Sequence, residues 1–308
     1  MHPQHPGIRP YGPAAIAEAA ALIAGGGIVA VPTETVYGLA GDATDGRAVA
    51  AIYAAKGRPS FNPLIVHAAD LAAAEAIGVF DARAQALADA FWPGPLTLVV
   101  PLRPQAGIAS LATAGLRTIA LRVPAHRAMQ ALLAACGCPL AAPSANASGG
   151  ISPTRAEHVT QSLGEHVPLV IDDGRTGAGL ESTIVWGERI LRPGPVTAEM
   201  LAAFGVHAGG SDGAIVAPGQ LASHYAPAKP LRLDATSAAP DEWLIGFGAV
   251  GGDDTLSAAG ELQEAAANLF DALHRADAST RSGIAVAPVP EAGIGVAIND
   301  RLRRAATR

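Results

Sequence analysis

Residues 31–67 gather polar chemistry in an otherwise apolar chain. Thr33, Glu34, Thr35 and Tyr37 follow the short β-rich run 28–31. Hydroxyls and a carboxylate continue a buried strand poorly, and α/β folds put ligands just past strand ends. Further on, Lys56 and Arg58 flank Gly57 at the end of a predicted helix, Ser60 and Asn62 add neutral donors, and His67 closes the next strand. A planar guanidinium beside a compact ammonium suits a polyphosphate. The same two cations would also complement a helix C-terminal dipole, and local evidence leaves both readings standing. A second cluster, 143–152, brings Ser144, Asn146, Ser148 and Ser152 directly after an apolar strand. Small hydroxyls and free backbone amides suit oxyanion or phosphate contacts, or simply make a surface loop. Arg122 lies inside the apolar run 119–123, and Arg192 sits in LRPGPV. A charge in a short apolar strand needs a partner or a ligand. Glu181, Ser182 and Thr183 open a further strand. No one segment decides the matter; together they place anion-friendly groups at several strand ends.

Two glycine patterns mimic nucleotide loops and fail on order. Gly25–Gly27 follow a predicted helix and precede a strand, whereas a P-loop runs strand, glycines, helix. Residues 246–251 spell GxGxxG after a predicted strand, but Gly252, Asp253 and Asp254 follow instead of a helix, and two carboxylates would repel a pyrophosphate. The formal GxSxG at 209–213 lies in a Gly-rich stretch rather than between a predicted strand and a predicted helix, and no HExxH pair is present. Cys136 and Cys138 supply only half the ligands of a structural zinc site and read as small buried residues before a strand.

Periodicity and punctuation predict the elements that position these groups. Helices are expected over 13–24, 48–55, 82–91, 125–135 and 155–163. Strands are expected over 28–31, 63–67, 96–101, 118–123, 140–142, 169–172, 182–185 and 189–191. The alternation departs from a strict βαβ rhythm, which points to an α/β fold with a mixed, twisted sheet. Beyond residue 205 the composition changes, and 207–219 is Gly-rich with little periodicity. Strands over 230–233, 243–247 and 283–288 and helices over 258–276 and 296–306 then outline a smaller α/β unit. The expected organisation is a domain over 1–206, a linker over 207–229 and a small domain over 230–308.

Composition sets the outer bounds. The chain has 308 residues, 50% hydrophobic and only 16% charged, so it can bury a core and is no disordered chain. A net charge of −6 argues against gripping nucleic acid over a broad basic face, though a small basic pocket remains compatible. Lys56 and Lys229 are the only lysines among 21 basic residues. The apolar stretch 14–31 contains Glu18 and three glycines, a poor membrane span, and the N-terminus lacks a signal-peptide pattern. A soluble, cytoplasmic protein with no membrane partner is the expectation.

The motifs PTETVYGL (32–39), KGRP (56–59), NPLIVH (62–67), WPGPLT (92–97), PSAN (143–146), ESTIV (181–185) and LRPG (191–194) resemble the threonylcarbamoyl-AMP synthase, YrdC-like family. HYAP (224–227), LFDALHRAD (269–277) and NDRLRRAA (299–306) resemble its long form, which carries an extra C-terminal, Rossmann-like domain. The likeness spans nearly the whole chain and is most specific over 28–200. It implies a reaction in which L-threonine, bicarbonate and ATP give threonylcarbamoyl-adenylate and pyrophosphate. The adenylate would serve a separate tRNA threonylcarbamoyl transferase, so tRNA is an indirect partner. The nucleophile would come from the substrate, in keeping with the lack of an obvious protein nucleophile. By the same resemblance Thr35, His67, Arg122, Ser182 and the backbone of Ala142 surround threonine, with Arg122 on its carboxylate. Arg58, Asn62, Thr118, Ser144, Ser152 and Arg192 hold ATP. Lys56 and Arg58 supply catalytic charge at the phosphates, and Tyr225 reaches back over the nucleotide. Mg²⁺ is expected to come with ATP through phosphate oxygens and water, without a dedicated protein cage, Glu34 and Glu181 being the nearest carboxylates. Segment 223–227 is expected to cover the pocket. Three rivals remain: an enzyme on this fold that adenylates another carbamate or hydrolyses nucleotide without threonine, an RNA-binding module, which the acidic balance disfavours, and nucleotide-dependent redox chemistry through 246–251.

Overall fold

The computed structural model describes residues 7–209 and 224–307. Much of the expected linker, including Ser223, therefore lies outside the described residues. In chain order the first part holds β1 (Ile8–Pro10), α1 (Pro13–Ala24), β2 (Val29–Pro32), β3 (Tyr37–Asp42), α2 (Gly46–Lys56), β4 (Ile65–His67), α3 (Leu71–Ile77), α4 (Ala82–Phe91), β5 (Leu96–Pro101) and β6 (Thr118–Arg122). It continues with α5 (Arg127–Cys136), β7 (Leu140–Ala141), α6 (Ala156–Leu163), β8 (Val170–Asp172), β9 (Thr183–Trp186), β10 (Arg189–Arg192), α7 (Ala198–Ala202) and β11 (His207–Ala208). The C-terminal part holds β12 (Leu231–Arg232), β13 (Glu242–Gly246), β14 (Asp254–Thr255), α8 (Leu262–Ala278), β15 (Gly283–Val286) and α9 (Gly295–Ala306).

Local chemistry sets many of these boundaries. Pro13 opens α1, where a missing N–H costs nothing. The side chains of Asp45, Asp70 and Asp81 accept the orphan amides of Arg47, Ala73 and Ala84 at the starts of α2, α3 and α4. Gly57 ends α2 in the left-handed region, which is how the chain turns between Lys56 and Arg58. Sequence patterning misses β3 because YGLAGD carries two glycines, poor strand formers. Both sit where backbone comes close: a Cβ on Gly41 would lie 3.3 Å from Ile28 and Ile52, and one on Gly38 would lie 3.3 Å from the Ala142 Cβ.

Among the described residues the strands form two sheets. The larger runs β1-β8-β2-β3-β7-β4-β6-β5-β9-β10-β11 and mixes parallel and antiparallel pairs, as the broken βαβ rhythm leads one to expect. The smaller runs β12-β15-β13-β14 and is wholly parallel. One apolar core packs α2 and α4 on the large sheet, and another packs α1 and α5 on its opposite side. A third core centres on α8 and α9 but also takes in Val36, Ile151 and Leu180, so the small unit is seated on the large one. No helix of the described residues is long and apolar enough to cross a membrane.

The seat is tight at one point. Gly179 has φ +68°, and a Cβ there would fall 2.5 Å from the Ala267 carbonyl oxygen on α8. Arg175, in the same loop, donates to the Ala267 carbonyl and to Asn268 Oδ1, each at 2.5 Å. Gly179→Ala is therefore expected to lower the melting temperature by roughly 5 °C or more, through overpacking and a strained φ. An unchanged melting temperature would show that this loop is not held against α8.

Candidate active site

The strand ends converge as alternation requires. β4 and β6 lie side by side in parallel, with His67 paired to Arg122. Residues two apart share a face, so Ile65 and His67 line up with Ala120 and Arg122. Ile65, Ala120, Val99 and Ile184 make a small apolar floor on that face. Ser182 enters from the start of β9, and its Oγ meets Thr97 Oγ1 at 2.7 Å. The turn between β2 and β3 is shaped by its own hydroxyls. Thr33 Oγ1 donates to the Val36 carbonyl at 2.7 Å and lies 2.8 Å from Thr35 Oγ1.

Arg122 is buried in this setting. Its Nε donates to the Gly94 carbonyl at 3.1 Å, Nη1 to Thr35 Oγ1 at 2.9 Å and Nη2 to Glu34 Oε1 at 2.5 Å. A guanidinium has five N–H bonds, so two remain for a ligand. Burial alone would raise the Glu34 carboxyl; the Arg122 charge overcomes it and holds the group below its ordinary value. Burial, reinforced by Arg122, pushes His67 down to about 3. His67 is thus a neutral imidazole at pH 7, and its Nδ1 has no partner among the described residues.

Two more guanidiniums line the cavity. Arg58 donates to the carbonyls of Asn62 and Pro63, at 3.2 and 2.9 Å. Arg192 donates to the Ser182 carbonyl at 2.9 and 3.1 Å and to Ser182 Oγ at 3.1 Å. Both are buried, and among the described residues neither has a carboxylate within ion-pair distance. Two buried cations held only by neutral acceptors make a site for an anion.

The cavity is lined by Thr35, Arg58, His67, Arg122, Ala142, Ser144, Ser182, Arg192 and Tyr225, together with Thr33, Val36, Glu181 and His224. Four expected residues stand apart from this lining. Lys56 points its Nζ at the carbonyls of Ser144 and Asn146, at 2.6 and 2.5 Å, and so ties the 143–152 loop to α2. Burial, with help from Arg58, lowers its ammonium well below the ordinary lysine value. Ser152 Oγ gives a short hydrogen bond to Glu181 Oε1. Asn62 is buried with both side-chain polar atoms unpartnered among the described residues. Thr118 starts β6, about 13 Å along the strand from Arg122 at the usual rise. Single-segment reasoning had no route to Arg301, which comes from α9 to pair with Glu181 at 2.9 Å.

His224 and Tyr225 complete the lining. Tyr225 is 1% exposed, adopts φ 67° and packs against His224, Phe270 and Arg301. The next residue, Ala226, bonds the Gly149 carbonyl at 2.8 Å. The space left is about 50 Å³, against the roughly 300–1,000 Å³ of small-molecule pockets.

Residues 21–194 match the Sua5/YciO/YrdC family, described as telomere recombination, and residues 196–307 match the family described as threonylcarbamoyl-AMP synthase, C-terminal domain. The threonylcarbamoyl-AMP synthase of Bacillus subtilis is 41% identical over 94% of this chain and 92% of its own. That of Pyrococcus abyssi is 37% identical over 93% and 92%. The chain belongs to the threonylcarbamoyl-AMP synthase family. The crystal structure of Pyrococcus abyssi Sua5 complexed with L-threonine superposes with a TM-score of 0.87 at 36% identity, over 94% of both chains. The match spans both sheets, so this member of the threonylcarbamoyl-AMP synthase family has the two-part architecture of that relative.

The donor set of this family member does not fit a protein-held magnesium ion. Glu34 and Glu181 are each committed to an arginine, and the described residues contain no group of three His, Cys, Asp or Glu able to hold a metal. Cys136 and Cys138 are free thiols, partly buried against the α1–α5 core.

Three histidines give the site region an acid limit. His67, His158 and His224 are each pushed down to about 3, chiefly by burial. Unfolded, each titrates near 6.5. Below that pH the unfolded chain takes up protons that the folded chain refuses, so stability is full above 6.5 and is lost as pH falls toward 3. The melting temperature should decline steadily from pH 6.5 to 4. A flat profile over that range would show that these histidines are hydrated when folded.

Proposed function

We propose that this chain makes threonylcarbamoyl-AMP from L-threonine, bicarbonate and ATP, releasing pyrophosphate. The observation that carries the reading is the pairing of two kinds of cation around one cavity. Arg122 offers a partly neutralised fork with two free N–H bonds beside Thr35, Ser182 and a neutral His67, which suits an amino-acid carboxylate and its neighbouring groups. Arg58 and Arg192, with no carboxylate partner among the described residues, suit phosphates. The apolar floor of Ile65, Ala120, Val99 and Ile184 includes the residue between Thr118 and Arg122 on the same face of β6.

In this reading bicarbonate gives CO₂ and hydroxide, the threonine amine attacks the CO₂ carbon, and the proton it loses passes to the hydroxide, leaving a carbamate and water. A carbamate oxygen then attacks the α-phosphorus in line, the bond to the β-phosphate bridge breaks, and pyrophosphate leaves. The reaction needs no protein nucleophile. Threonine must present a neutral amine, and His67, itself neutral, can accept a hydrogen bond from it without adding charge. The guanidiniums supply positioning and charge stabilisation, which are large terms in phosphoryl chemistry. Mg²⁺ brought with ATP would be held by the phosphate oxygens and water and would supply charge neutralisation there. ATP needs more than the space left, so His224 and Tyr225 must withdraw to admit it and can return to exclude water from the labile adenylate. A separate transferase would then pass the threonylcarbamoyl group to tRNA.

Incubation with ATP, threonine and ¹³C-bicarbonate tests the product directly. A product one mass unit above unlabelled threonylcarbamoyl-AMP is expected. An adenylate lacking the label, or formed without threonine, would assign the site to another carbamate or acyl adenylation.

A further inference from the structure

Arg301 is the largest side chain fully buried in the described structure. It belongs to α9, in the C-terminal unit, yet its charge is spent in the cavity of the other unit. Nε meets Glu181 Oε2 at 2.9 Å, Nη2 approaches the Glu181 carbonyl at 3.5 Å, and Nη1 meets Asp300 Oδ2 at 2.7 Å. The guanidinium also lies 5.2 Å from the centroid of the Tyr225 ring. Glu181 uses its other oxygen to accept from Ser152 Oγ, so its carboxylate is fully engaged. Glu181 lines the cavity beside Arg192.

That neighbourhood poses an electrostatic problem. A bare carboxylate there would repel a triphosphate and would draw Arg192, a guanidinium otherwise held by neutral acceptors alone. Arg192 is already close enough to act on Glu181: burial would raise that carboxyl, and Arg301 first and Arg192 second bring it below its ordinary value. A buried guanidinium is costly unless paired, and here its pairing neutralises Glu181, the carboxylate that lines the cavity among the described residues, while Asp300 is shared between Arg301 and Arg304.

We propose that Arg301 is a positioning residue for nucleotide binding: by holding Glu181 and packing on Tyr225, it leaves Arg192 available to phosphate. The C-terminal unit thereby contributes a charge that the ATP site depends on, although Arg301 touches no substrate. The inference rests on the ATP site proposed above.

The test is titration of a non-hydrolysable ATP analogue and of threonine into wild type and variants, with the melting temperature of each recorded. Wild type is expected to bind both ligands; absence of analogue binding would overturn the ATP site itself and this inference with it. R301M should weaken the analogue by roughly 10- to 100-fold, the effect of one uncompensated charge at a few ångströms, while threonine affinity changes by less than about threefold. The double variant R301M/E181Q is decisive. It restores no contact between the units but removes the carboxylate, so analogue affinity should return to within about fivefold of wild type. A mere clamp between units predicts that the double variant binds no better than R301M, and that result would overturn the proposal. If R301M does not fold, E181Q alone decides: it should bind the analogue as tightly as wild type or more tightly, and a tenfold loss would show that Glu181 itself serves the nucleotide.

Discussion

Replacing Arg122 by alanine should reduce threonine-dependent pyrophosphate release by roughly 100- to 1,000-fold, the usual cost of removing one partner from a buried charge pair. Three of its N–H bonds build the site, on Gly94, Thr35 and Glu34, and two remain for a ligand, the threonine carboxylate in the proposed reaction. The loss should fall on threonine. Affinity for an ATP analogue should drop less than about tenfold, because Arg58 and Arg192 stand on other elements and are held independently. Titration of each ligand into the variant separates the outcomes. Equal losses for both would make Arg122 a purely structural residue. Arg122→Lys should not rescue, since an ammonium cannot hold Glu34, Thr35 and a carboxylate in one plane.

The second large effect is at Arg192, with the opposite signature in stability. Arg192→Met keeps most of the volume and removes a buried cation that, among the described residues, donates to the carbonyl and hydroxyl of Ser182. Binding of the ATP analogue should weaken about 100-fold, as for a charge-assisted phosphate contact in a buried site. The melting temperature should hold or rise, because the desolvation of an unpaired charge is relieved. Such trade-offs mark residues kept for ligands rather than for the fold. A variant that melts much earlier and still binds the analogue would show that Arg192 braces β10 instead.

Much of the scaffold is legible because proline, glycine and aspartate punctuate it. α1, α4 and β5 occupy the spans that periodicity predicts, bounded by Pro13, Asp81 and the WPGP turn. β3 is not legible: its two glycines serve close packing against Ile28, Ile52 and Ala142, contacts that exist only once the sheet is assembled. α3, rich in alanine and short, carries too little periodicity to announce itself. The site shows the same divide. Arg122 and His67 stand out as polar residues ending apolar strands, and parallel pairing brings them together. Lys56 and Arg58 look alike in sequence, yet the left-handed turn at Gly57 sends one to backbone carbonyls and leaves the other on the cavity. The link between Glu181 and Arg301 spans 120 residues, and no local pattern encodes it.

In the proposed reaction one cavity joins threonine, bicarbonate and ATP. The most direct measurement is pyrophosphate release from ATP by the purified chain, with threonine and bicarbonate added separately and together. Release should require both and be accompanied by the mass of threonylcarbamoyl-adenylate. Release indifferent to threonine, or none with all three present, would contradict the proposed reaction.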